Sequence, residues 1–241
     1  MYPLRYLPTG HIFISPQDDC DLLVDAMLAT DYGEEFCLAG DFSLDFAEQL
    51  MEAGFLVMSA ELGDEAEPFC LLLPKLHLIR SVLFFPDLHI PRRLHKRLSA
   101  YELRVDQDFD LTLDNCIAAH GDDWLTPPLA EILKGLHKKK RGSGGLRPVS
   151  FGVYREGELR AGEVGVIHGG VYTSYSGYYH ESHAGNVQMV LMVRWLQERG
   201  FRFLDFGMPL DYKTALGARN IDPQTFVSLF REARSIVPKG S

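Results

Sequence analysis

The fold class can be predicted from residues 150–207, whose sequence is SFGVYREGELRAGEVGVIHGGVYTSYSGYYHESHAGNVQMVLMVRWLQERGFRFLDFG. Two turn-like pairs, Glu156-Gly157 and Gly169-Gly170, separate β-rich segments and predict an antiparallel meander. The predicted strands span 150–155, 160–168 and 171–175. A helical pattern over 187–199 follows, and then a strand over 201–206. A meander that continues into strand, helix and strand predicts an α+β (mixed α/β) fold.

The segments before this stretch add helices and short strands. An apolar face recurs at helical spacing in 41–51, and further helices are predicted over 111–119 and 129–137. Short strands are predicted over 55–59, 69–73, 81–85 and 101–105. The acidic run 63–68 is typical of a solvated turn. We therefore predict a small N-terminal α/β domain over 1–75 and a larger domain over 76–241.

Composition limits the class of protein. The chain has 241 residues, a formal net charge of −9 and a pI of 5.4. This argues against nucleic acid covering the whole surface, but not against a local basic patch. The four cysteines lack zinc-finger spacing and are interpreted as thiols in a reducing cytosol. Because neither a signal peptide nor a membrane-spanning run is found, we expect a cytoplasmic monomer without membrane partners.

One carboxylate stands out in 204–218, LDFGMPLDYKTALGA. A kinase D-F-G is excluded, because no glycine-rich loop, strand lysine or catalytic-loop Asp precedes it. Strand alternation places Asp205 on the same face as Phe201 and Phe203. Such a carboxylate either pairs with nearby donors, an arginine for example, or is functional.

Tyrosines and serines cluster in 172–179. They are either ordinary strand and turn aromatics or an aromatic wall that stacks a base and hydrogen-bonds a ribose. The next helix begins near 183–186, where free backbone N–H groups would meet a bound acyl donor or ribose. His180 and His183 have no fixed third ligand, so we expect no metal and no cofactor.

Two basic segments interrupt the acidic chain. The first, 92–97, follows Pro91, which suits the first turn of a helix. The second, 138–145, is not interpreted as a phosphate loop, because a strand rather than a helix follows it. It is either a solvated linker or an electrostatic contact to a nucleic-acid backbone.

Several motifs, in order along the chain, resemble those of the leucyl/phenylalanyl-tRNA–protein transferase family. They are 38–43, LAGDFS, similar to L-G-G-D-L-S; 80–90, RSVLFFPDLHI, similar to R-x-V-L-x-P…L-H-I; 124–126, WLT, similar to W-I-T; and 216–218, LGA, similar to the S-L-G-A that follows a strand-end Asp. The family has a Gcn5-related acyltransferase-like fold, in which two parallel strands diverge around the acyl donor. The resemblance implies an aminoacyltransferase that moves an amino acid from aminoacyl-tRNA to an acceptor protein N-terminus, marking it for N-degron proteolysis.

The resemblance and the basic segments also imply roles for individual residues. Asp205 is expected to orient the acceptor ammonium, with help from Asp211 or Tyr212, and its replacement by Asn to reduce transfer while leaving folding intact. The expected substrate-binding residues are Trp124, Tyr175, Ser176, Tyr178 and Asn186. The expected tRNA-binding residues are Arg80, Arg92, Arg93, Lys96, Arg97, Lys139, Lys140 and Arg141.

The chain departs from the family pattern at its expected site. The Gln two residues after the strand-end Asp is replaced by Gly207, the Glu of G-E-S falls at Gly177, and aromatic signatures are missing at 54–58 and 71–74. The transferred residue is therefore Leu, Phe or, as in a related branch, Arg. The alternatives are an acyl-CoA-dependent N-acyltransferase, whose R/Q-x-x-G-x-G/A motif is missing at 182–186, and a non-catalytic RNA-binding module.

Overall fold

The computed structural model describes residues 2–64, 67–139 and 145–240. Its first part contains helices α1 (Cys20–Ala29) and α2 (Leu44–Glu52), followed by an antiparallel sheet that pairs β1 (Leu56–Leu62) with β2 (Phe69–Lys75). Asp19 caps α1, because its carboxylate accepts the backbone N–H of Leu22.

Within the described residues, the remaining strands form a seven-stranded sheet. These strands are β3 (Arg80–Phe84), β4 (Glu102–Val105), β5 (Arg147–Arg155), β6 (Glu158–His168), β7 (Val171–Tyr179), β8 (Phe203–Gly207) and β9 (Arg219–Ile221). The helices of this part are α3 (Arg92–Leu98), α4 (Phe109–His120), α5 (Pro127–Lys138), α6 (Ala184–Glu198), α7 (Asp211–Ala215) and α8 (Pro223–Ala233).

The strand order along the sheet is β4-β5-β6-β7-β8-β3-β9. Strands β4 to β7 form an antiparallel meander, and β8 runs parallel to β7 after a crossover through α6. Glu156 and Gly157 connect β5 to β6 with φ angles of 55° and 81°, which a type I′ turn requires. The predicted meander and the mixed α+β class are therefore confirmed.

Strands β7 and β8 separate after a short paired stretch. Their pairing runs from Val171 and Phe203 to Thr173 and Asp205. Beyond this point β7 continues beside β6, whereas β8 continues beside β3. Because each strand follows a different neighbour, a gap opens at their carboxyl ends. This is the diverging parallel pair that the resemblance implied.

Strand β3 lies between β8 and β9, a position that the sequence patterns do not predict. It runs antiparallel to β8, with Val82 opposite Asp205 and Ser81 opposite Gly207. This pairing brings Arg80 beside Asp205, although the two residues are 125 positions apart. The sequence patterns also leave α7, β9 and α8 unassigned.

Apolar cores cover both faces of the sheet. Phe203 belongs to a first core, with residues of α1, α2, β2, α5 and α8. Leu204 and Phe206 belong to a second core, with residues of α6. The alternation predicted for this strand is therefore confirmed for Phe203, Leu204 and Phe206. It is wrong for Phe201, which precedes β8 and packs in the second core instead of sharing the face of Phe203. Since the N-terminal elements contribute to the first core, they pack directly on the sheet; the division into 1–75 and 76–241 stays a prediction.

The described part of the chain contains no helix that is both long and apolar enough to cross a bilayer. Even α6 has only 15 residues, compared with the ~20 that a membrane-spanning helix needs.

Candidate active site

A cavity of about 970 Å³ lies where β7 and β8 diverge. The carboxyl half of β7 forms one wall, the start of α6 a second, and α7 with the end of β8 a third. Side chains of β1 and β2 also line it. This volume is in the range of pockets that enclose small ligands.

The five residues predicted to bind substrate all line this cavity. They are Trp124, Tyr175, Ser176, Tyr178 and Asn186. The rings of Trp124 and Tyr175 form one corner, with centroids 6.4 Å apart and planes inclined by 40°. The Tyr175 hydroxyl accepts the backbone N–H of Val57 at 3.1 Å, and the Tyr178 hydroxyl accepts the side-chain amide of Asn115 at 3.1 Å. Both rings are therefore held in place, while their contact with substrate stays a prediction.

The first turn of α6 forms a polar wall of the cavity. Its N-cap, His183, has a left-handed backbone with a φ of 74°, and no side chain caps the helix. His183, Gly185 and Asn186 line the cavity. Unsatisfied N–H groups and the positive end of the helix dipole therefore lie at the cavity wall.

Asp205 does not line this cavity. Its side chain is 0% exposed and forms a bidentate ion pair with Arg80, whose Nε and Nη2 donate to the two carboxylate oxygens at 2.7 and 2.6 Å. The Thr173 hydroxyl at 3.0 Å and the backbone N–H of Gly207 at 2.9 Å donate to the same oxygens. These four donors occupy the roughly four acceptor positions of a carboxylate.

This arrangement corrects two predicted roles. Asp205 is not placed to contact an acceptor amine, because its oxygens are already bonded and buried; instead it ties the end of β8 to β3 and β7. Arg80 is not placed to contact tRNA, because it is 1% exposed and its guanidinium lies 4.2 Å from the centre of the Phe226 ring. Of the two interpretations left open for Asp205, the structure supports pairing with an arginine.

A second carboxylate, Glu163 on β6, does line the cavity. It is 3% exposed and accepts a hydrogen bond from the Tyr172 hydroxyl at 3.1 Å. Burial raises the pKa of Glu163 to about 7, although hydrogen bonds from Ser174, Tyr172 and Gln188 favour its ionised form. The sequence analysis missed this residue, even though it interrupts an apolar strand as Asp205 does.

Lys213 is the third residue of α7 and also lines the cavity. It is 6% exposed, and its Nζ donates to the carbonyl oxygens of Phe206 at 2.7 Å and Met208 at 2.8 Å. Burial lowers the pKa of Lys213 to about 8, while the carboxylates of Asp205 and Glu163 oppose that shift. The sequence analysis missed this residue too, because α7 is too short to show a periodic pattern.

The backbone at Gly207 does not suit the Gln of the family pattern. Gly207 has a φ of 69°, and a Cβ there would lie 3.0 Å from Cδ1 of Leu56 and 3.4 Å from Nε2 of His77. A Gln would therefore be strained in this conformation. The carbonyls on either side of Gly207 are the two that hold Lys213, so an amine lies next to the position of the missing side chain.

His77 is a buried imidazole at the same cavity. Neither of its ring nitrogens has a hydrogen-bond partner among the described residues, and Glu35 lies too far away, at 3.8 Å from Nδ1. Burial, with the nearby charges of Arg80, Lys75 and Lys213, lowers the pKa of His77 to about 2. The ring is therefore neutral and offers one donor and one acceptor to a ligand.

The other two predicted catalytic residues differ in position. Tyr212 lines the cavity and is 55% exposed. Asp211 lies on the exposed side of the first turn of α7 and does not line the cavity, so the structure does not place it at the reaction. Over 2–64, 67–139 and 145–240, no cluster of His, Cys, Asp and Glu is suited to hold a metal ion.

The predicted tRNA-binding residues fall into separate groups. Four of them, Arg92, Arg93, Lys96 and Arg97, are exposed on α3, and Arg93 also lines the cavity. Lys139 forms ion pairs with Asp45 at 3.0 Å and Glu48 at 2.8 Å, so it is already neutralised and is not free for a phosphate. Lys140 and Arg141 lie outside the described residues.

A model of the leucyl/phenylalanyl-tRNA protein transferase family matches residues 82–231, more than half of the chain. The match contains β6, β7, α6, β8 and α7, which form most of the cavity. The chain belongs to this family.

Two leucyl/phenylalanyl-tRNA–protein transferases illustrate the similarity. The one from Maridesulfovibrio salexigens is 31% identical over 160 residues, which cover 64% of this chain and 65% of that protein. The one from Pseudomonas fluorescens is 34% identical over 152 residues, 61% of this chain and 65% of that protein. The chain thus spans a little less than two thirds of the length of these relatives.

Two solved structures share much less sequence identity with this chain than these transferases do. A crystal structure of FemX has a TM-score of 0.47 and 12% identity, and the likeness covers 94% of this chain and 85% of that one. A Gcn5-related N-acetyltransferase from Anabaena variabilis has a TM-score of 0.40 and 8% identity, with 83% and 46% covered. At such scores neither likeness bears on function.

Proposed function

We propose that the chain is an aminoacyl-tRNA–protein transferase, which moves an amino acid from the 3′ ester of tRNA to the N-terminal amine of an acceptor protein. The observation that carries this proposal is the cavity at the diverging strands, which lies mostly within the family match and is lined by all five predicted substrate-binding residues. The modified N-terminus would mark the acceptor for N-degron proteolysis in the cytosol.

The cavity walls suit the parts of an aminoacyl-adenosine. Trp124 and Tyr175 provide an aromatic corner on which an adenine ring would stack. The free N–H groups at the start of α6 suit ribose hydroxyls or the ester carbonyl. Positioning alone contributes up to ~7–11 kcal/mol to such reactions in favourable cases. The remaining requirement is a neutral acceptor amine, whose pKa is about 7.7–8.0.

Glu163 supports a basic donor amino acid, arginine rather than leucine or phenylalanine. Its carboxylate is almost completely buried at the cavity, where a guanidinium would pair with it through charge-assisted hydrogen bonds. An apolar donor side chain would exclude water from the same carboxylate without giving it a counter-charge, which is unfavourable. Because burial raises the pKa of Glu163 to about 7, a bound cation would also favour its ionised form.

The direct test is transfer by the purified protein. We expect a labelled amino acid to pass from charged tRNA to a peptide N-terminus, with Arg-tRNA more active than Leu-tRNA or Phe-tRNA. Turnover of acetyl-CoA without transfer would instead indicate an acyl-CoA-dependent acyltransferase. Binding of tRNA without any transfer would indicate an RNA-binding module, and either result would overturn the proposal.

We propose that α3 contacts the acceptor stem of tRNA. Its four exposed cations form no ion pair among the described residues, and Arg93 links them to the cavity. Replacing Arg92, Lys96 and Arg97 with Gln should weaken tRNA binding and reduce the slope of log K against log salt by about 0.7–0.9 per lost phosphate contact. Filter-retention measurements of tRNA binding between about 50 and 200 mM salt check this expected change in slope.

The matched control for α3 is Lys134→Gln, which removes a cation of α5 that lies near Asp114 and Glu131. We expect this variant to keep the wild-type slope. An unchanged slope in the triple α3 variant would show that tRNA binds elsewhere.

A further inference from the structure

Among the described residues, two carbonyl groups accept hydrogen bonds from the nitrogen of Lys213, which leaves one of its bonding directions unused. Its Nζ donates to the carbonyl oxygens of Phe206 and Met208 at 2.7 and 2.8 Å. A neutral amine has two N–H bonds and one lone pair, so these two carbonyls accept both N–H bonds and leave the lone pair. In the ammonium form, a third N–H occupies that direction. Lys213 also lines the cavity that would hold the substrate.

We propose that Lys213 is the proton acceptor for the attacking amine in the transfer reaction. This inference rests on the proposed function, and it assigns the proton transfer to a residue outside the family pattern quoted above. Its basis is the position of the amine at the cavity, beside Gly207, and its two fixed hydrogen bonds.

The other ionisable groups near the cavity are less suited to this step. Asp205 is enclosed by four donors and does not line the cavity. Burial lowers the pKa of His77 to about 2, so its neutral ring is a weak base that does not take up a second proton near neutral pH. An unperturbed tyrosine has a pKa of about 10, and partial desolvation raises the pKa of Tyr212 further, so its phenol stays protonated. Glu163 already accepts from Tyr172 and is the group that we assign to the donor side chain.

Lys213 alone carries the proton through the proposed reaction. The neutral acceptor amine attacks the ester carbonyl carbon, and a C–N bond forms. The lone pair of Lys213 takes a proton from the attacking nitrogen, which gives an ammonium. When the C–O bond to the ribose breaks, this ammonium returns the proton to the leaving 3′ oxygen. Amide and free tRNA are released, and Lys213 is neutral again.

The surrounding charges set the pH range of this step. Burial is the main cause that lowers the pKa of Lys213 to about 8, Asp205 on β8 and Glu163 on β6 oppose it, and Arg80 on β3 adds to it. His77 and Tyr212, which also lie near Lys213, are neutral in this range. Lys213 is therefore increasingly neutral as pH rises through about 8, and its activity as a proton acceptor rises with it.

The test compares Lys213→Met and Lys213→Arg in steady-state transfer with saturating aminoacyl-tRNA. We expect kcat to fall by roughly 10²–10⁴-fold in both variants. Arginine keeps the positive charge and the donors for the two carbonyls, but it does not give up its proton in this pH range. A purely structural or electrostatic role would therefore be rescued by arginine, whereas the proposed role would not.

The pH profile gives an independent readout. Below pH ~7.5, log kcat/KM for the acceptor should rise with a slope near two in the wild type, because both the acceptor amine and Lys213 must lose a proton. In Lys213→Met the slope should be near one. Small primary amines should also restore part of the activity of Lys213→Ala.

The outcomes separate this inference from the proposed function. If the kcat of Lys213→Arg lies within about threefold of the wild-type kcat, the role of Lys213 alone is overturned. Such a change is far smaller than the loss expected when a base is removed. A wild type inactive with every charged tRNA would overturn the proposed function, and this role with it. Lys134→Met serves as the control lysine and should keep wild-type kinetics, and the melting temperature of each variant shows whether it folds.

Discussion

Replacing Asp205 with Ala or Asn should destabilise the protein by about 3–5 kcal/mol. Either change leaves the guanidinium of Arg80 buried without its counter-charge, at a position that is 1% exposed. The sequence alone predicts that Asn leaves folding intact, because it does not reveal the ion pair. Urea unfolding followed by circular dichroism measures the expected loss, and a change below ~1 kcal/mol would contradict it.

The matched variant for this experiment replaces both partners, as Arg80→Met with Asp205→Leu. Removing both charges avoids the unpaired buried ion, so much of the lost stability should return. Thr173 and the N–H of Gly207 would still lose an acceptor, which limits the recovery. If the loss in unfolding free energy of the double variant equals the sum of the losses in the two single variants, the pair does not act as a unit.

Activity in the double variant tests the positioning role of the pair. Asp205 connects β8 to Thr173 of β7 and to Gly207, the residue between the two carbonyls that hold Lys213. We expect a folded double variant to transfer more slowly but to keep the pH profile of the wild type. Loss of that pH profile together with activity would instead place Asp205 in the proton transfer itself.

The second large effect is expected from Glu163→Leu, which should change the donor preference. If Glu163 pairs with a basic donor side chain, its loss removes one partner of a buried charge pair. Such truncations cost about 2–5 kcal/mol, or about 30-fold to several thousand-fold in kcat/KM for Arg-tRNA. Transfer from Leu-tRNA should stay the same or increase, because the buried negative charge that an apolar side chain cannot balance is gone.

Glu163→Gln is the matched control for charge. It keeps the size and an acceptor for Tyr172, but it removes the negative charge. We expect it to lose arginine transfer nearly as Glu163→Leu does, without the gain for leucine. Competition between Arg-tRNA and Leu-tRNA in one reaction measures the ratio directly. A wild type that prefers leucine, or a ratio unchanged in Glu163→Leu, would show that Glu163 does not select the donor.

Local sequence patterns predict the parts of the fold that depend on neighbouring residues. The β5–β6 turn follows from Glu156-Gly157, and the buried alternation of β8 follows from 203–206, whereas Phe201 before the strand packs on the other face from the one predicted. Helix α6 is also predicted from its apolar spacing, to within a few residues at its start. These features are local because turn geometry and side-chain periodicity are set within a few residues.

The lining of the cavity is predicted in part. Tyr175, Ser176 and Tyr178 lie on one strand, and Asn186 lies in the first turn of the next helix, so these residues are close together in the sequence and are predicted together. The resemblance to the transferase family adds Trp124. Glu163 and Lys213 are absent from that prediction, because neither belongs to a motif and each reaches the cavity from a different element.

Asp205 and Glu163 show which features the sequence predicts and which depend on tertiary structure. Sequence patterns predict that each is a carboxylate within an apolar strand, and that Asp205 needs a partner or a function because charge is unfavourable in an apolar core. Which of the two applies depends on strands that are distant along the chain. The pairing of β3 with β8 brings Arg80 to Asp205 across 125 positions and satisfies it. The divergence of β7 from β8 leaves Glu163 and Lys213 beside a cavity instead. Only the packed sheet decides this, because hydrogen-bond partners between strands are not encoded in the periodicity of either strand.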